Sequence, residues 1–216
     1  MKYNELIKNE EIKTYITQAD ESLKALGYTE HSFPHVCKVA NDAAHILSSL
    51  NYDEHTIELA KIAGYLHDIG NVVNRVNHSQ SGAIMAFTIL NELNMEPKDI
   101  ALIVSAIGNH DEGTGVAVNE IAAALIIADK SDVRRTRVRN ENFDRFDIHD
   151  RVNYSVTESK LIVSNDEITL KLQIDTEISP IMDFFEIFLS RMTMCKNAAN
   201  KLNMRFRLSI NNQLII

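Results

Sequence analysis

Histidine and aspartate residues stand at the points where strongly apolar segments end. His67 and Asp68 directly follow the largely apolar run 62–66, and Asp129 follows the apolar run 121–128. An ionised carboxylate on a buried helix is costly unless a cation or a set of hydrogen bonds compensates it. The sequence therefore predicts a positive partner beside Asp68 and another beside Asp129.

Three further histidines lie at ends of predicted helices, where a site can be assembled. The complete set of candidate metal ligands is His35, His67, Asp68, His78, His110 and Asp129. Imidazole and carboxylate donors without a thiolate suit Fe, Mn, Zn, Ni or Co better than Ca or a soft copper site. We therefore predict a transition-metal site in which the two oxygens of Asp68 can bridge a pair of ions. The other histidines have polar neighbours and are expected on the surface: His31, His45, His55 and His149.

Apolar residues recur at helical spacing around these donors and predict six helices. The predicted helices span 3–26, 33–50, 55–68, 79–94, 98–109 and 119–136. Three of them begin with recognisable start signals: Ser32 before Phe33-Pro34, Pro97, and Asn119 followed by Glu120. Each candidate ligand falls at or near an end of one of these helices, so the helices are expected to position the site.

The last third of the chain has a different periodicity. Apolar and polar residues alternate over 168–174, which predicts a half-buried strand, and 156–163 is its predicted partner. Residues 164–166 supply turn chemistry for an antiparallel hairpin between them. A helix over 180–202 and a strand over 204–210 then complete a ββαβ unit. The predicted fold is mainly α, with a helical bundle followed by this small unit.

Length, charge and composition exclude several classes of protein. The chain has 216 residues, enough for a full core, and its net charge of −8 argues against a broad nucleic-acid surface. The longest apolar run has eight residues, whereas a bilayer span needs about 20. The polar N-terminal segment and two distant cysteines fit a cytoplasmic protein. We expect a small-molecule substrate and neither a nucleic-acid nor a membrane partner.

The ordered donors resemble the HD superfamily of metal-dependent phosphohydrolases, whose pattern is a His, then His-Asp, then a distant Asp. The matching residues are His35, His67-Asp68 and Asp129, in the settings 35–40, 63–70 and 127–130. The resemblance covers about residues 30–137. The additional His78 and His110 are similar to those of its two-metal branch, which includes bacterial symmetrical dinucleoside-tetraphosphate hydrolases and the HD-GYP phosphodiesterases.

The resemblance implies a nucleotide phosphohydrolase that cleaves a phosphoester or phosphoanhydride bond with metal-activated water. It implies two divalent metal ions bridged by Asp68, with Fe as the first candidate. Asn71 stands where family members commonly have Lys or Arg, so the phosphate-directed cation must come from elsewhere. Asp68 and Lys130 are the expected catalytic residues, and the expected substrate-binding residues are Arg75, Lys130, Arg134 and Gly113. The predicted organisation is an HD-type domain in residues 1–145 and an α+β domain in 146–216.

Two alternatives to a hydrolase stay open at this point. One is a nucleotide-sensing module without catalysis, in which the metal is structural and the ββαβ unit provides a partner surface. The other is a mixed-valence di-iron oxygenase, because some dinuclear iron proteins with the HD fold resemble this site. A homodimer formed through the ββαβ unit is a further hypothesis.

Overall fold

Residues 2–155 are mainly helical, and the remaining residues form a small sheet and one long helix. The computed structural model describes residues 2–216. The helices of the first part are α1 (Tyr3–Leu6), α2 (Glu10–Ala25), α3 (Phe33–Ser49), α4 (Glu54–Leu66), α5 (His78–Glu92), α6 (Pro97–Gly108), α7 (Glu120–Lys130) and α8 (Ile148–Ser155). Short 3₁₀ turns occupy Ile69–Val72, Arg135–Arg137 and Phe143–Arg145.

Helix α7 lies at the centre of the molecule. Its residues 121–128 are all apolar and have no exposed surface. A helix that is apolar on every side must be surrounded by other elements, and α7 packs against α3, α4, α6 and α9, defined below. Asp129 is thereby carried into the interior, as the sequence predicted for a carboxylate at the end of this run.

Helices α3 and α4 pack closely because Gly64 faces Ala40. A Cβ atom on Gly64 would lie 2.7 Å from the Ala40 Cα and 2.8 Å from the Ala40 nitrogen, so the backbone would have to shift to accommodate it. The two helices therefore approach almost backbone to backbone. This close seam brings His35, at the start of α3, next to His67, just beyond the end of α4.

The C-terminal unit is a four-stranded sheet with a crossover helix. Its elements are β1 (Val156–Val163), β2 (Glu167–Ile174), α9 (Ile181–Lys201), β3 (Arg205–Ile210) and β4 (Gln213–Leu214), and the strand order is β1-β2-β3-β4. Strands β1 and β2 pair antiparallel, β2 and β3 pair parallel across α9, and β4 returns antiparallel. The predicted hairpin is confirmed, as is the predicted fold class, and β4 adds a short edge strand.

Two predicted helices are shorter in the structure. The helix predicted over 3–26 breaks before Glu10, because the Asn9 side chain accepts the Glu11 and Ile12 backbone N–H groups and starts α2 anew. The helix predicted over 119–136 ends at Lys130. Beyond it the chain turns so that the Asp132 carboxylate bonds to other side chains.

The core is continuous between the helical part and the C-terminal unit. Buried side chains of α7, of α9 and of the sheet belong to one hydrophobic cluster. The division into 1–145 and 146–216 stays a prediction, since this continuity neither requires nor forbids a boundary near residue 145. Over residues 2–216, no helix combines the length and the apolar character needed to cross a membrane.

Candidate metal centre and its cavity

The six predicted ligands meet at one end of the helical bundle. His35 lies in the first turn of α3, His67 and Asp68 directly follow α4, His78 begins α5, His110 lies two residues beyond α6, and Asp129 lies in the last turn of α7. All four histidines are buried, and so is Asp68. The structure thus brings together side chains that are spread over 95 positions of the chain.

One set of donors consists of His35, His67, Asp129 and one oxygen of Asp68. The Nε2 atoms of His35 and His67 are 3.3 Å apart. Asp129 Oδ1 lies 3.4 Å from His35 Nε2 and 3.7 Å from His67 Nε2. Asp68 Oδ2 lies 3.6 Å and 3.3 Å from the same two nitrogens. Each of the two carboxylate oxygens therefore lies within 3.7 Å of both histidine nitrogens.

A second set consists of His78, His110 and the other oxygen of Asp68. The Nε2 atoms of His78 and His110 are 3.1 Å apart. Asp68 Oδ1 lies 3.4 Å from His78 Nε2 and 3.9 Å from His110 Nε2. Asp111 Oδ1 lies 4.0 Å from His78 Nε2, at the edge of this set. Asp68 therefore faces one set of donors with each of its oxygens.

The spacing and chemistry of these donors fit metal ions. Donor atoms held about 2.1 Å from one ion, at angles of about 90–110°, lie about 3.0–3.4 Å from one another. The two Nε2–Nε2 distances, 3.3 Å and 3.1 Å, fall in this range. Lone pairs and carboxylates at such separations repel each other unless a metal ion or a proton lies between them.

The Nδ1 atom of each of the four candidate histidine ligands has a hydrogen-bond acceptor that fixes the tautomer. The Nδ1 atoms of His67, His110 and His78 donate to the carbonyl oxygens of Gly64, Ile107 and Arg75, at 2.8, 2.7 and 3.1 Å. The Nδ1 atom of His35 lies 2.7 Å from Asp132 Oδ2. With Nδ1 protonated, a neutral imidazole turns its Nε2 lone pair toward the centre, which is the arrangement of a metal-binding histidine.

The pKa values show that the carboxylates of the centre and their positive neighbours stabilise each other's charges. Burial opposes a charge on His67, but the carboxylates of Asp68 and Asp129 outweigh it and raise the pKa of His67 to about 10. Burial lowers the pKa of both His78 and His110, which favours their neutral, ligating forms. Burial would also raise the pKa of Asp68, yet nearby histidines, His67 first, hold it well below its usual range. The carboxylate is therefore ionised and available to cations.

Two residues around the centre orient its ligands. The fully buried carboxylate of Asp132 binds His35 Nδ1 and Arg134 Nε, each at 2.7 Å. The amide of Asn71 donates to Asp68 Oδ1 at 2.9 Å. Asn71 therefore holds the central carboxylate in place.

A cavity of about 360 Å³ opens onto the metal centre. Lys130 and Arg75, which the sequence analysis expects to bind substrate, both line it. The Lys130 Nζ atom lies 2.7 Å from Asp129 Oδ2 and 3.5 Å from Glu112 Oε1. On another wall, Arg75 Nη1 lies 3.4 Å from His78 Nε2, and its guanidinium lies 5.5 Å from the centre of the Tyr28 ring. Both cations therefore adjoin metal ligands.

Arg134 and Gly113, which were also predicted to bind substrate, are not among the residues that line this cavity. Because α7 ends at Lys130, Arg134 does not lie one helical turn further along the same face. Its side chain binds Asp132 and lies 3.4 Å from Glu30. Gly113 is exposed in its loop, with no atom near the position of an added Cβ. The structure thus gives Arg134 a supporting position and Gly113 no contact with the cavity.

Several cavity residues were missed in the sequence. His31 and His149, which were expected on the surface, line the cavity, and the ring of His31 packs edge-on against His35 with centroids 5.4 Å apart. Arg191 of α9 also lines it. A signal for Arg191 was present, since it lies three residues after Phe188 and four before Cys195, within the apolar stripe of its helix.

With this geometry established, the comparison with known families identifies the helical part. Residues 33–137 match the family described as "HD domain". The match covers 105 of the 216 residues, and all six predicted ligands lie within it. The resemblance inferred from the sequence is confirmed. HD domains bind divalent metal ions, and the clustered His and Asp side chains are able to hold them.

Individual proteins are also similar to the chain. The "Uncharacterized protein MJ1020" of Methanocaldococcus jannaschii is 28% identical over 198 residues, which cover 81% of this chain and 75% of that protein. A solved structure, of a predicted HD superfamily hydrolase from an uncultured Thermotogales bacterium, is 26% identical with a TM-score of 0.46. That similarity covers 62% of this chain and 75% of the solved chain.

Proposed function

We propose that this protein is a metal-dependent phosphohydrolase that cleaves a phosphoester or phosphoanhydride bond of a small nucleotide. The observation that carries the proposal is the position of Asp68, whose two oxygens face two separate sets of donors. Two ions held 3.5–4 Å apart are a recurrent arrangement in enzymes that hydrolyse phosphate esters. The HD domain supports hydrolysis as the class of reaction.

The six ligands would hold two divalent ions, of which iron is the first to test and Mn, Zn, Ni and Co are alternatives. When bound, such ions lower the pKa of water from 15.7 to about 7 and so supply hydroxide for attack on phosphorus. His35, His67 and Asp129 would hold one ion, and His78 and His110 the other. Asp68 would contribute an oxygen to each.

Lys130 provides positive charge beside the centre. Burial opposes its charge, but Asp129 and Glu112 outweigh this effect and raise the pKa of Lys130, so it stays protonated at neutral pH. An ammonium fixed at this position would offset negative charge on the phosphoryl group as its bond to the leaving group breaks. Arg75, beside His78, would bind phosphoryl oxygens from the other side.

The composition of the cavity favours a small, partly polar substrate. The start of α8 contributes Asp147, His149, Asp150 and Asn153 to the wall. Carboxylate and amide oxygens there are suitable acceptors for the hydroxyl groups of a ribose, whereas Lys130 and Arg75 suit phosphate. A nucleotide carries both kinds of group. The volume of about 360 Å³ lies at the small end of ligand sites.

The test is hydrolysis of a nucleotide panel by protein purified without oxygen and loaded with Fe²⁺, Mn²⁺ or Co²⁺. Mono-, di- and triphosphates and dinucleoside polyphosphates are assayed for released phosphate and for nucleotide products. We expect metal-dependent turnover of at least one compound, and its loss in His35→Ala but not in His45→Ala, an exposed histidine of the same helix. Absence of turnover with every metal contradicts the proposal, and nucleotide binding alone would indicate a sensing module.

A further inference from the structure

Helix α9 of the C-terminal unit brings a cationic side chain to the metal cavity. Arg191 lies on the same face of α9 as Phe188 and Cys195, both of which are buried. Its side chain has 27% of its surface exposed and lines the cavity together with Lys130. A charge on the packed face of a helix is costly unless it is paired with an opposite charge or with hydrogen-bonding groups.

The guanidinium of Arg191 is held in a defined orientation. Its Nε atom lies 2.6 Å from Glu112 Oε1, and its central carbon lies 4.7 Å from the centre of the Phe188 ring. Phe188 is itself stacked on Phe184, with centroids 5.0 Å apart and planes inclined by 12°. Within residues 2–216, Glu112 is the only carboxylate in ion-pair distance of Arg191. The terminal nitrogens are thus left free for an anionic ligand.

Glu112 links this arginine to the metal centre. The same oxygen, Oε1, lies 3.5 Å from Lys130 Nζ, and Lys130 lies 2.7 Å from the metal-facing Asp129. Arg191 and Lys130 are therefore neighbours around one carboxylate. A phosphoryl group at the centre would meet Lys130 first, and a further anionic group attached to it would come within reach of Arg191.

We propose that Arg191 binds a second phosphoryl group of the substrate and so makes the protein selective for phosphoanhydrides over monophosphates. A planar guanidinium matches two oxygens of a phosphate, which a lysine ammonium does not. The inference rests on the proposed function, because it assumes that a phosphoryl group occupies the centre. It also assigns the C-terminal unit a task, namely to complete the binding site of the HD domain.

The experiment compares the binding of two non-hydrolysable probes, methylenediphosphonate and methylphosphonate, by calorimetry. The proteins are metal-loaded wild type, Arg191→Gln, Arg191→Lys and the control Arg205→Gln, which removes an exposed arginine of the same unit. Metal content is measured in each. We expect Arg191→Gln to weaken methylenediphosphonate about tenfold or more and methylphosphonate less than threefold, as loss of a charged hydrogen bond predicts. Arg205→Gln should bind both probes as wild type does.

Each outcome decides the assignment. Unchanged preference for methylenediphosphonate in Arg191→Gln overturns it, and so does a wild type that prefers neither probe. If Arg191→Gln does not fold, Arg191→Lys decides in its place, with an expected loss of at least threefold in preference and unchanged metal content. Because the probes are not cleaved, failure of the hydrolase proposal would appear as binding without turnover and leave Arg191 tested on its own. With an active enzyme, Arg191→Gln should raise KM for a diphosphate substrate while kcat changes less than threefold.

Discussion

The two ends of the cavity are built in different ways. At the metal end, buried side chains from five helical segments are each fixed by a second contact, as His35 is by Asp132 and Asp68 by Asn71. At the other end, α8 and α9 contribute the buried Asn153 and Phe188 together with partly or fully exposed side chains, among them Arg191 and His149. Under the proposed function, this difference corresponds to a division in which the helical part binds the metal ions and the C-terminal unit selects the substrate.

The largest effect is expected at the residue that both donor sets share. Asp68→Asn removes the one negative charge that both sets share, so binding of both ions should be lost and phosphate release should fall about 1000-fold or more. Metal analysis and the nucleotide assay measure this. Asp144→Asn, at an exposed aspartate, is the control. Retention of two ions by Asp68→Asn would break the proposed link between the sets.

Lys130→Gln separates charge stabilisation from metal binding. The variant keeps all six ligands and loses the ammonium beside Asp129, so we expect kcat to fall about 100-fold with metal content unchanged. Arg191→Gln should instead act mainly on KM. If both variants changed kcat and KM alike, the proposed division between a chemical end and a selecting end would be wrong.

A smaller effect is expected for the residue that orients His35. Asp132→Asn weakens the hold on His35 Nδ1, and such supporting changes reduce metal affinity about 10–100-fold. A competition titration with a metal chelator measures the affinity. Asp42→Asn on the outer side of α3 is a matched control, since its partner is Lys38. Equal affinity in Asp132→Asn and Asp42→Asn would show that His35 does not depend on this carboxylate.

The smallest effect concerns the helix seam that aligns the metal end. Gly64→Ala would place a methyl group 2.7 Å from the Ala40 Cα, and overpacking of this kind costs about 1–3 kcal/mol. Thermal unfolding should show a lowered midpoint, whereas Gly113→Ala, where nothing lies within 4 Å of the added group, should be close to wild type. Equal midpoints for the two variants would show that the seam is more adaptable than its geometry indicates.

The sequence predicted the metal end better than the selecting end, for a physical reason. Asp68 and Asp129 stand at the ends of apolar runs. An ionisable group in such a position requires a compensating partner, and this requirement is visible in the sequence. Arg191 is one charge on an otherwise ordinary amphipathic helix. Its place in the apolar stripe is visible in the sequence. Whether it lines the cavity depends on which residues α9 packs against, and local periodicity does not contain that information.

Supporting contacts were also beyond local patterns. Asp132 contacts His35, which lies 97 positions away in the chain. The contact forms beyond the end of α7, which stops at Lys130 and not at residue 136 as predicted. The β1–β2 hairpin was predictable because its turn and its alternation are local. Arg134 was expected to bind substrate, and the structure places its side chain against Asp132.

Anomalous diffraction from crystals grown with Mn²⁺ tests most directly whether Asp68 joins two ions. We expect two peaks about 3.5–4 Å apart, one beside His35, His67 and Asp129 and the other beside His78 and His110, with one oxygen of Asp68 on each. A single peak, or two peaks of which one lies away from Asp68, would contradict the account.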